Sequence, residues 1–172
     1  MNSVIDNIFT RRSVRAFKEK HISKEDLETI AECAIYAPSA RNFQMWEFTV
    51  VQNKEIIERL AKAVEKELDR PGYDFYKPDA LIIATNDREC KYAIDDCACA
   101  LQNMFLAAHS LGIGSVWINQ LRDISDTDSV RSIFREIGIT DNQVAYGTVA
   151  LGYSAEEEKG KIEKKDCIRY VY

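Results

Sequence analysis

Basic side chains are concentrated near the start of the chain. Five of the ten residues at positions 11–20 are Arg or Lys, although the 172-residue chain has a formal net charge of -5. Residues 11–15, here called the arginine segment, contain Arg11, Arg12, Ser13 and Arg15. A guanidinium group binds two phosphate oxygens at once and a hydroxyl adds a further donor, so this spacing favours a phosphate or similar anion. The alternative is a solvated basic surface beside the first helix.

A second group of polar side chains occupies residues 38–44, here called the amide loop. It lies between a predicted helix end and a predicted strand start, where binding residues commonly occur. Ser39, Asn42 and Gln44 offer both hydrogen-bond donors and acceptors. That mixture suits a heterocycle with alternating carbonyl and N–H edges, or a polyol chain, better than a bare phosphate. An ordinary polar loop is the alternative.

A third segment, residues 112–115, contains two glycines and is here called the glycine turn. A dinucleotide fingerprint would need its third glycine at position 117, which is Trp117, so that type of site is excluded. The glycines could let the backbone approach a flat ring closely. The alternative is a helix end at Gly112 followed by a turn.

Side chains that could perform catalysis by themselves are scarce. His21 and His109 are the only histidines, and neither lies in a nucleophile motif. Cys97 and Cys99 are two residues apart in a predicted helix, so they point about 200° apart and cannot share a metal ion. The sequence therefore predicts neither catalytic side chains nor a metal site, and the chemistry would come from a bound cofactor.

The elements that position these segments mix helices and strands in one α+β domain over residues 1–172. Helices are predicted over residues 4–9 after a cap at Ser3, from a cap at Ser23 to Pro38, from a cap at Asn53 to Pro71, over residues 94–111 and over residues 128–136. Strands are predicted over residues 46–51, 80–85, 115–119 and 144–151, with residues 167–172 as a candidate fifth strand. One sheet packed between helices is the expected architecture.

Composition limits the classes of function. The chain is 46% hydrophobic and 30% charged, which is typical of a globular protein. Its net negative charge argues against nucleic acid as a partner. No apolar run approaches the ~18 residues that span a bilayer, so we expect no membrane partner. The first residues lack the layout of a signal peptide, and we expect a cytoplasmic protein.

Taken together and in this order, the segments resemble the FMN-dependent nitroreductase family. Its members begin with Arg-Arg-Ser-x-Arg-x-Phe, matched by residues 11–17. They continue with Pro-Ser-Ser-x-Asn-x-Gln-Pro-Trp, matched by residues 38–46, and with Leu-Gly-x-Gly-Ser-x-Trp, matched by residues 111–117. Gly-Tyr follows near the end, at residues 152–153. This chain departs from the family at positions 40, 41 and 45, where it has Ala, Arg and Met.

The resemblance implies a three-layer α/β/α sandwich with a mainly antiparallel central sheet, and a homodimer with FMN at the subunit interface. The residues that it implies for binding FMN are Arg11, Arg12, Ser13 and Arg15 at the phosphate and ribityl end, Pro38, Ser39, Ala40, Asn42 and Gln44 from the partner subunit or the ring edge, Ile113, Gly114 and Ser115 beside the isoalloxazine, and Lys159 and Lys161 as a late basic pair at the phosphate.

The implied activity is an oxidoreductase reaction. A hydride passes from NADH or NADPH through flavin N5 to an electron-poor small molecule such as a nitroaromatic compound or a quinone. One alternative keeps the flavin but changes the reaction to a dehydrogenation, a dehalogenation or flavin cleavage. Another is a flavin- or nucleotide-binding protein without turnover, including a regulator that binds an anion.

Overall fold

The computed structural model describes residues 2–157, 164–165 and 167–172. Its α-helices are α1 (Ser3–Thr10), α2 (Lys24–Ile35), α3 (Lys54–Glu67), α4 (Ala93–Ser110), α5 (Gln120–Ile124) and α6 (Asp128–Glu136). Its strands are β1 (Trp46–Val51), β2 (Ala80–Asp87), β3 (Gly114–Ile118) and β4 (Gln143–Gly152). A single turn of 3-10 helix covers Ala40–Asn42.

The strands form one sheet in the order β1-β2-β4-β3, and every neighbouring pair is antiparallel. The register gives the sheet two distinct ends. At one end, here called the Gly152 end, β2 and β3 begin and β4 finishes, with Gly114 opposite Gly152. At the other, here called the Trp46 end, β1 begins and β2 finishes, with Trp46 opposite Asn86. The eight residues of β2 separate the two ends by about 23 Å.

Helices cover both faces of the sheet because the buried strands alternate apolar side chains between the faces. In β2, Ile82 and Ala84 pack with α2 and α4, whereas Leu81 and Ile83 pack with α3, α5 and α6. The result is a mixed helix and antiparallel-sheet sandwich of three layers. The predicted fold class is confirmed.

Local sequence signals located most elements closely. The strand over residues 46–51 and the helix over residues 128–136 have the predicted bounds. The side chains of Ser23 and Asn53 cap α2 and α3 by accepting hydrogen bonds from Asp26 N and Ile56 N. At α1 the cap prediction is wrong, because Asn2 rather than Ser3 accepts from Val4 N.

The candidate fifth strand is also wrong. Residues 167–172 have no regular secondary structure and their side chains are exposed. Their alternating aromatic and β-branched side chains resemble a strand, but no described strand pairs with them. The short helix α5 was not predicted, since five residues carry too little periodicity to be recognised.

Helix α4 is the central element on its face of the sheet. The side-chain amides of Asn7 and Asn103 tie α1 and α2 to it, by donating to Leu106 O at 2.9 Å and to Cys33 O at 3.0 Å. Within the described part of the chain, no helix is long and apolar enough to cross a bilayer. The arginine segment and the amide loop contact α4 at two different points, at Phe105 and at Asp96.

Candidate functional site

The structure brings the arginine segment and the glycine turn together at the Gly152 end of the sheet. Ser13 pairs with Ser115 in a parallel bridge, and Val14 N donates to Ser115 O at 3.0 Å. Farther along, Lys18 N donates to Tyr153 O at 2.8 Å. The arginine segment is therefore fixed to β3 by its own backbone, and the stretch that follows it is fixed in the same way at Tyr153, directly after β4.

Two glycines allow this close approach. A Cβ atom at Gly114 would lie 3.0 Å from Val14 Cβ and from Gly152 O. A Cβ atom at Gly152 would lie 2.7 Å from the ring of Phe17. Gly114 thus makes room for the arginine segment. The sequence suggested another role for this glycine, which is to let the backbone approach a flat ring.

The rest of the glycine turn is largely interior in a single chain. Gly112 ends α4 with a φ of +72°, as the helix-end interpretation predicts. Ile113 packs in the core between α2, α4 and the sheet, and both Ile113 and Ser115 are only 2% exposed. Their predicted contact with a flavin stays a prediction.

The arginine side chains differ in their surroundings. Arg11 is half-buried, and its guanidinium carbon lies 5.9 Å from the ring centroid of Phe105 on α4. Burial lowers the pKa of Arg11 from its usual high value, which still leaves it charged at neutral pH. Arg12 and Ser13 are half-buried and Arg15 is exposed. Together they concentrate positive charge at the Gly152 end of an acidic protein.

His109 lies beside this charge, at the last turn of α4. Its Nε2 is 2.9 Å from Thr10 Oγ1, and that hydroxyl donates to Asp6 O at 2.7 Å. The hydroxyl must therefore accept from the imidazole, so Nε2 carries a proton. Burial, and then the charge of Arg11, lower the pKa of His109, which favours the neutral ring at pH 7.

The amide loop is built differently. Arg41, Asn42 and Gln44 all have left-handed backbone conformations, with φ of 54°, 57° and 50°. Hydrogen bonds inside the loop hold this shape: Gln44 N donates to Ser39 Oγ at 3.2 Å, and Gln44 Nε2 donates to Asn42 Oδ1 at 2.6 Å. Left-handed residues other than glycine are costly and are often found at binding sites.

A buried carboxylate that the sequence analysis did not single out anchors this loop. Ala40 N donates to Asp96 Oδ1 at 2.8 Å, and Asp96 is 3% exposed in the first turn of α4. A carboxylate at a helix start is commonly explained by its favourable interaction with the helix dipole. The signal that could have revealed it is periodicity, because Asp96 falls on the same helical face as Ala93 and Ala100, which are buried.

The two groups of predicted residues do not meet in one chain. The arginine segment contacts α4 at Phe105 and the amide loop contacts it at Asp96, nine residues or about 14 Å earlier along the helix. They also lie at opposite ends of the sheet, since the amide loop leads into Trp46. A single ligand that contacted both groups of one chain would have to extend over about 14 Å.

The remaining candidate groups are the late basic pair, possible metal ligands and the cysteine thiols. Lys159 and Lys161, predicted at the phosphate, lie outside the described residues. No group of three or more His, Cys, Asp or Glu side chains that could hold a metal ion occurs among the described residues. Cys97 is fully buried, and burial raises the pKa of its thiol to about 12, so it is not a nucleophile at neutral pH.

Comparison with known proteins relates the chain to one protein family. The model of the nitroreductase family matches residues 8–78 and 74–153. A curated relative from Archaeoglobus fulgidus, named "Putative NADH dehydrogenase/NAD(P)H nitroreductase", is 34% identical over 92% of this chain and 89% of its own length.

Solved structures agree with the sequence match. A nitroreductase with bound FMN from Bacteroides fragilis NCTC 9343 superposes with a TM-score of 0.95 at 37% identity, over 100% of both chains. A nitroreductase with bound FMN from Desulfitobacterium hafniense DCB-2 gives 0.87 at 29% identity, again over 100% of both chains. The family match spans all three predicted binding segments and the sheet that carries them, and the chain belongs to the nitroreductase family.

Proposed function

We propose that the protein is an FMN-dependent oxidoreductase that uses NADH or NADPH to reduce a small electron-poor acceptor, such as a nitroaromatic compound or a quinone. The observation that carries the proposal is the bridge between Ser13 and Ser115. This bridge places the guanidinium and hydroxyl donors of the arginine segment, which suit an anion, on the sheet of a nitroreductase fold. Two similar proteins with this fold contain bound FMN, and relatives carry names that include NAD(P)H.

The donors at the Gly152 end fit the phosphate of FMN. Arg11 and Arg15 can present planar N–H pairs to phosphate oxygens, and Ser13 adds a hydroxyl. Arg11 is partly withdrawn from water against Phe105, where its charge attracts an anion more strongly than in bulk solvent. Because the backbone of this segment is hydrogen-bonded to the sheet, little order would have to be created on binding.

The amide loop fits the heterocyclic end. Asn42 and Gln44 are exposed and carry side-chain amides, which can match the carbonyl and N–H edge of a flavin. Since the loop lies at the opposite end of the sheet from the arginine segment, the loop of one subunit would complete the site of the other. We therefore infer a homodimer with two FMN sites at its interface.

Exposed apolar side chains support a second copy as the partner. Helix α1 has no buried residue, and its Val4 and Phe9 are 63% and 67% exposed. The described C-terminal residues Tyr170 and Val171 are exposed as well. Apolar surface of this kind marks an association site, and α1 leads directly into the arginine segment. A second copy covering α1 would place protein beside the proposed phosphate site.

The role of this chain in the reaction is binding and orientation. Bound FMN supplies a ring that takes a hydride from NADH or NADPH and delivers it to the acceptor. The arginine segment and the amide loop contain no carboxylate, histidine or cysteine. Their residues would hold the cofactor, position its ring and offset its negative charge.

The activity is tested on the purified protein. We expect it to bind FMN, to lose the flavin colour when NADH or NADPH is added without oxygen, and to regain it when a nitroaromatic compound or a quinone is added. A protein that neither binds FMN nor is stabilised by it contradicts the proposal. A protein that binds FMN but is not bleached by either nicotinamide is a flavin-binding protein without this activity.

The dimer is tested separately by sedimentation velocity at working concentration. We expect twice the mass of one chain. We also expect Phe9→Glu to give monomers that bind FMN weakly, because the charge would disrupt an apolar contact and remove the second half of the site. A monomeric wild-type protein that binds FMN tightly would show that one chain holds the whole site.

A further inference from the structure

The amide loop has one hydrogen-bonded anchor to the rest of the described fold. Its other hydrogen bonds join Ser39, Ala40, Asn42, Phe43 and Gln44 to one another. The anchor is the bond from Ala40 N to Asp96 Oδ1 at 2.8 Å. It lies directly before Arg41, the first of the left-handed residues, so it fixes the point at which the chain enters its costly conformation.

Burying the Asp96 carboxylate costs free energy, which indicates that the anchor has a function. Asp96 is 3% exposed, and its second oxygen, Oδ2, is buried without a hydrogen-bond partner among the described residues. Burying a carboxylate is unfavourable unless its oxygens are bonded. The helix dipole alone does not require it, because Asp95 is exposed in the same turn of α4 and serves the dipole without burial.

We propose that Asp96 is a positioning residue that holds the amide loop in its left-handed shape before the cofactor arrives. The inference rests on the proposed function, since the loop is one of the two segments proposed to contact FMN. A loop that already has its bound shape loses less conformational freedom on binding. Asp96 acts through one acceptor oxygen, because Oδ2 has no partner, and its negative charge is not needed for the tether.

The single-oxygen tether makes asparagine a rescuing substitution. Asp96→Asn keeps an acceptor for Ala40 N, whereas Asp96→Ala removes it. We expect Asp96→Ala to weaken FMN binding by roughly 10- to 100-fold, and Asp96→Asn to stay within about threefold of wild type. Asp95→Ala, in the same turn but exposed, is the matched control and leaves the affinity unchanged.

Proteolysis tests the tether without the cofactor. Trypsin can cleave after Arg41, which is exposed in the loop. With no FMN present, we expect this cleavage to be about tenfold faster in Asp96→Ala than in wild type, because local opening no longer breaks the anchor, and to be nearly unchanged in Asp96→Asn. If cleavage follows this order while wild-type protein fails to bind FMN, the tether stands and the proposed function falls.

A second variant removes the donor instead of the acceptor. Ala40→Pro deletes the N–H, and Ser39 already has the extended backbone that a following proline requires, with φ of -122° and ψ of 148°. In this background Asp96→Ala should have no further effect on cleavage after Arg41. Equal cleavage in wild type and Asp96→Ala would overturn the proposal. If wild-type protein binds FMN, an equal FMN affinity of Asp96→Ala, or failure of Asp96→Asn to restore either property, would also overturn it.

Discussion

The arginine segment and the amide loop are held in place in opposite ways. The first lies on the sheet through backbone hydrogen bonds, with glycines that let it approach closely. The second is an exposed loop with three left-handed residues and one side-chain anchor. Position is therefore set by the sheet in the first region and by a single carboxylate in the second. Substitutions should act by steric displacement in one region and by loss of conformation in the other.

The largest effect is expected at Phe17, two residues after the arginine segment, where this part of the chain approaches the sheet most closely. Gly152→Ala places a methyl group 2.7 Å from the ring of Phe17. We expect the free energy of unfolding, measured in denaturant, to fall by about 1–3 kcal/mol, because either the stretch with Phe17 or the end of β4 must shift. We also expect FMN binding to be nearly lost, because the arginine segment is displaced together with Phe17.

The matched control is Gly138→Ala. Gly138 has a φ of +87° with open space around its Cα, so this change also lowers stability, by about 1 kcal/mol. It lies after α6, away from both binding segments, and FMN affinity should not change. Equal FMN affinity in Gly152→Ala and Gly138→Ala would disprove the steric account of the arginine segment.

The next effect concerns charge rather than position. Arg11→Ala and Arg15→Ala should each weaken FMN binding by about 1.5–3 kcal/mol, or roughly 10- to 150-fold, which isothermal titration can measure. Lys18→Ala removes an exposed charge outside the arginine segment and is the control, with little change expected. If affinity is unchanged in both arginine variants, the phosphate binds elsewhere.

Introducing a glycine should raise the free energy of unfolding in the amide loop and lower it in the arginine segment. Arg41→Gly relieves a left-handed residue and should raise stability by about 0.5–1 kcal/mol in thermal or denaturant unfolding. Val14→Gly removes a half-buried side chain from the extended segment and should lower stability by about 1–2 kcal/mol. Stability changes of the same sign would mean that the backbones of the two regions are held in the same way.

These differences also explain how far the sequence could be interpreted. The caps at Ser23 and Asn53 and the apolar run of β2 depend on neighbouring residues, so a local pattern predicted them. The bridge between Ser13 and Ser115 joins residues far apart in the chain, and the composition of both segments suggested a ligand rather than contact with each other. No local pattern encodes that pairing.

The amide loop marks the other limit of the sequence. Its polar residues were recognised, but left-handed Arg41 was not expected, because nothing in the types of its neighbours demands that conformation. Asp96 did not stand out in the sequence, because its burial depends on how α4 packs against the sheet and the loop. Tertiary contacts, rather than local preference, determine both features.

The smallest predicted effect is a pH dependence that arises at His109, beside the arginine segment. The pKa of His109 is lowered in the fold, mainly by burial and then by Arg11, so the neutral ring is the form that the fold favours. The associated stability is present above the unfolded pKa of about 6.5 and is lost as the pH falls through the lower folded value. His109 is only partly buried, so solvent screening keeps the effect small.

Between pH 7 and pH 5 we expect the melting temperature of the FMN-free protein to fall roughly 1–2 °C further than that of His109→Gln, which cannot gain a charge beside Arg11. The amide loop has no side chain that titrates in this range, so it cannot produce the difference. If the melting temperatures of wild type and His109→Gln fall by the same amount between pH 7 and pH 5, protonation of His109 beside Arg11 does not affect stability.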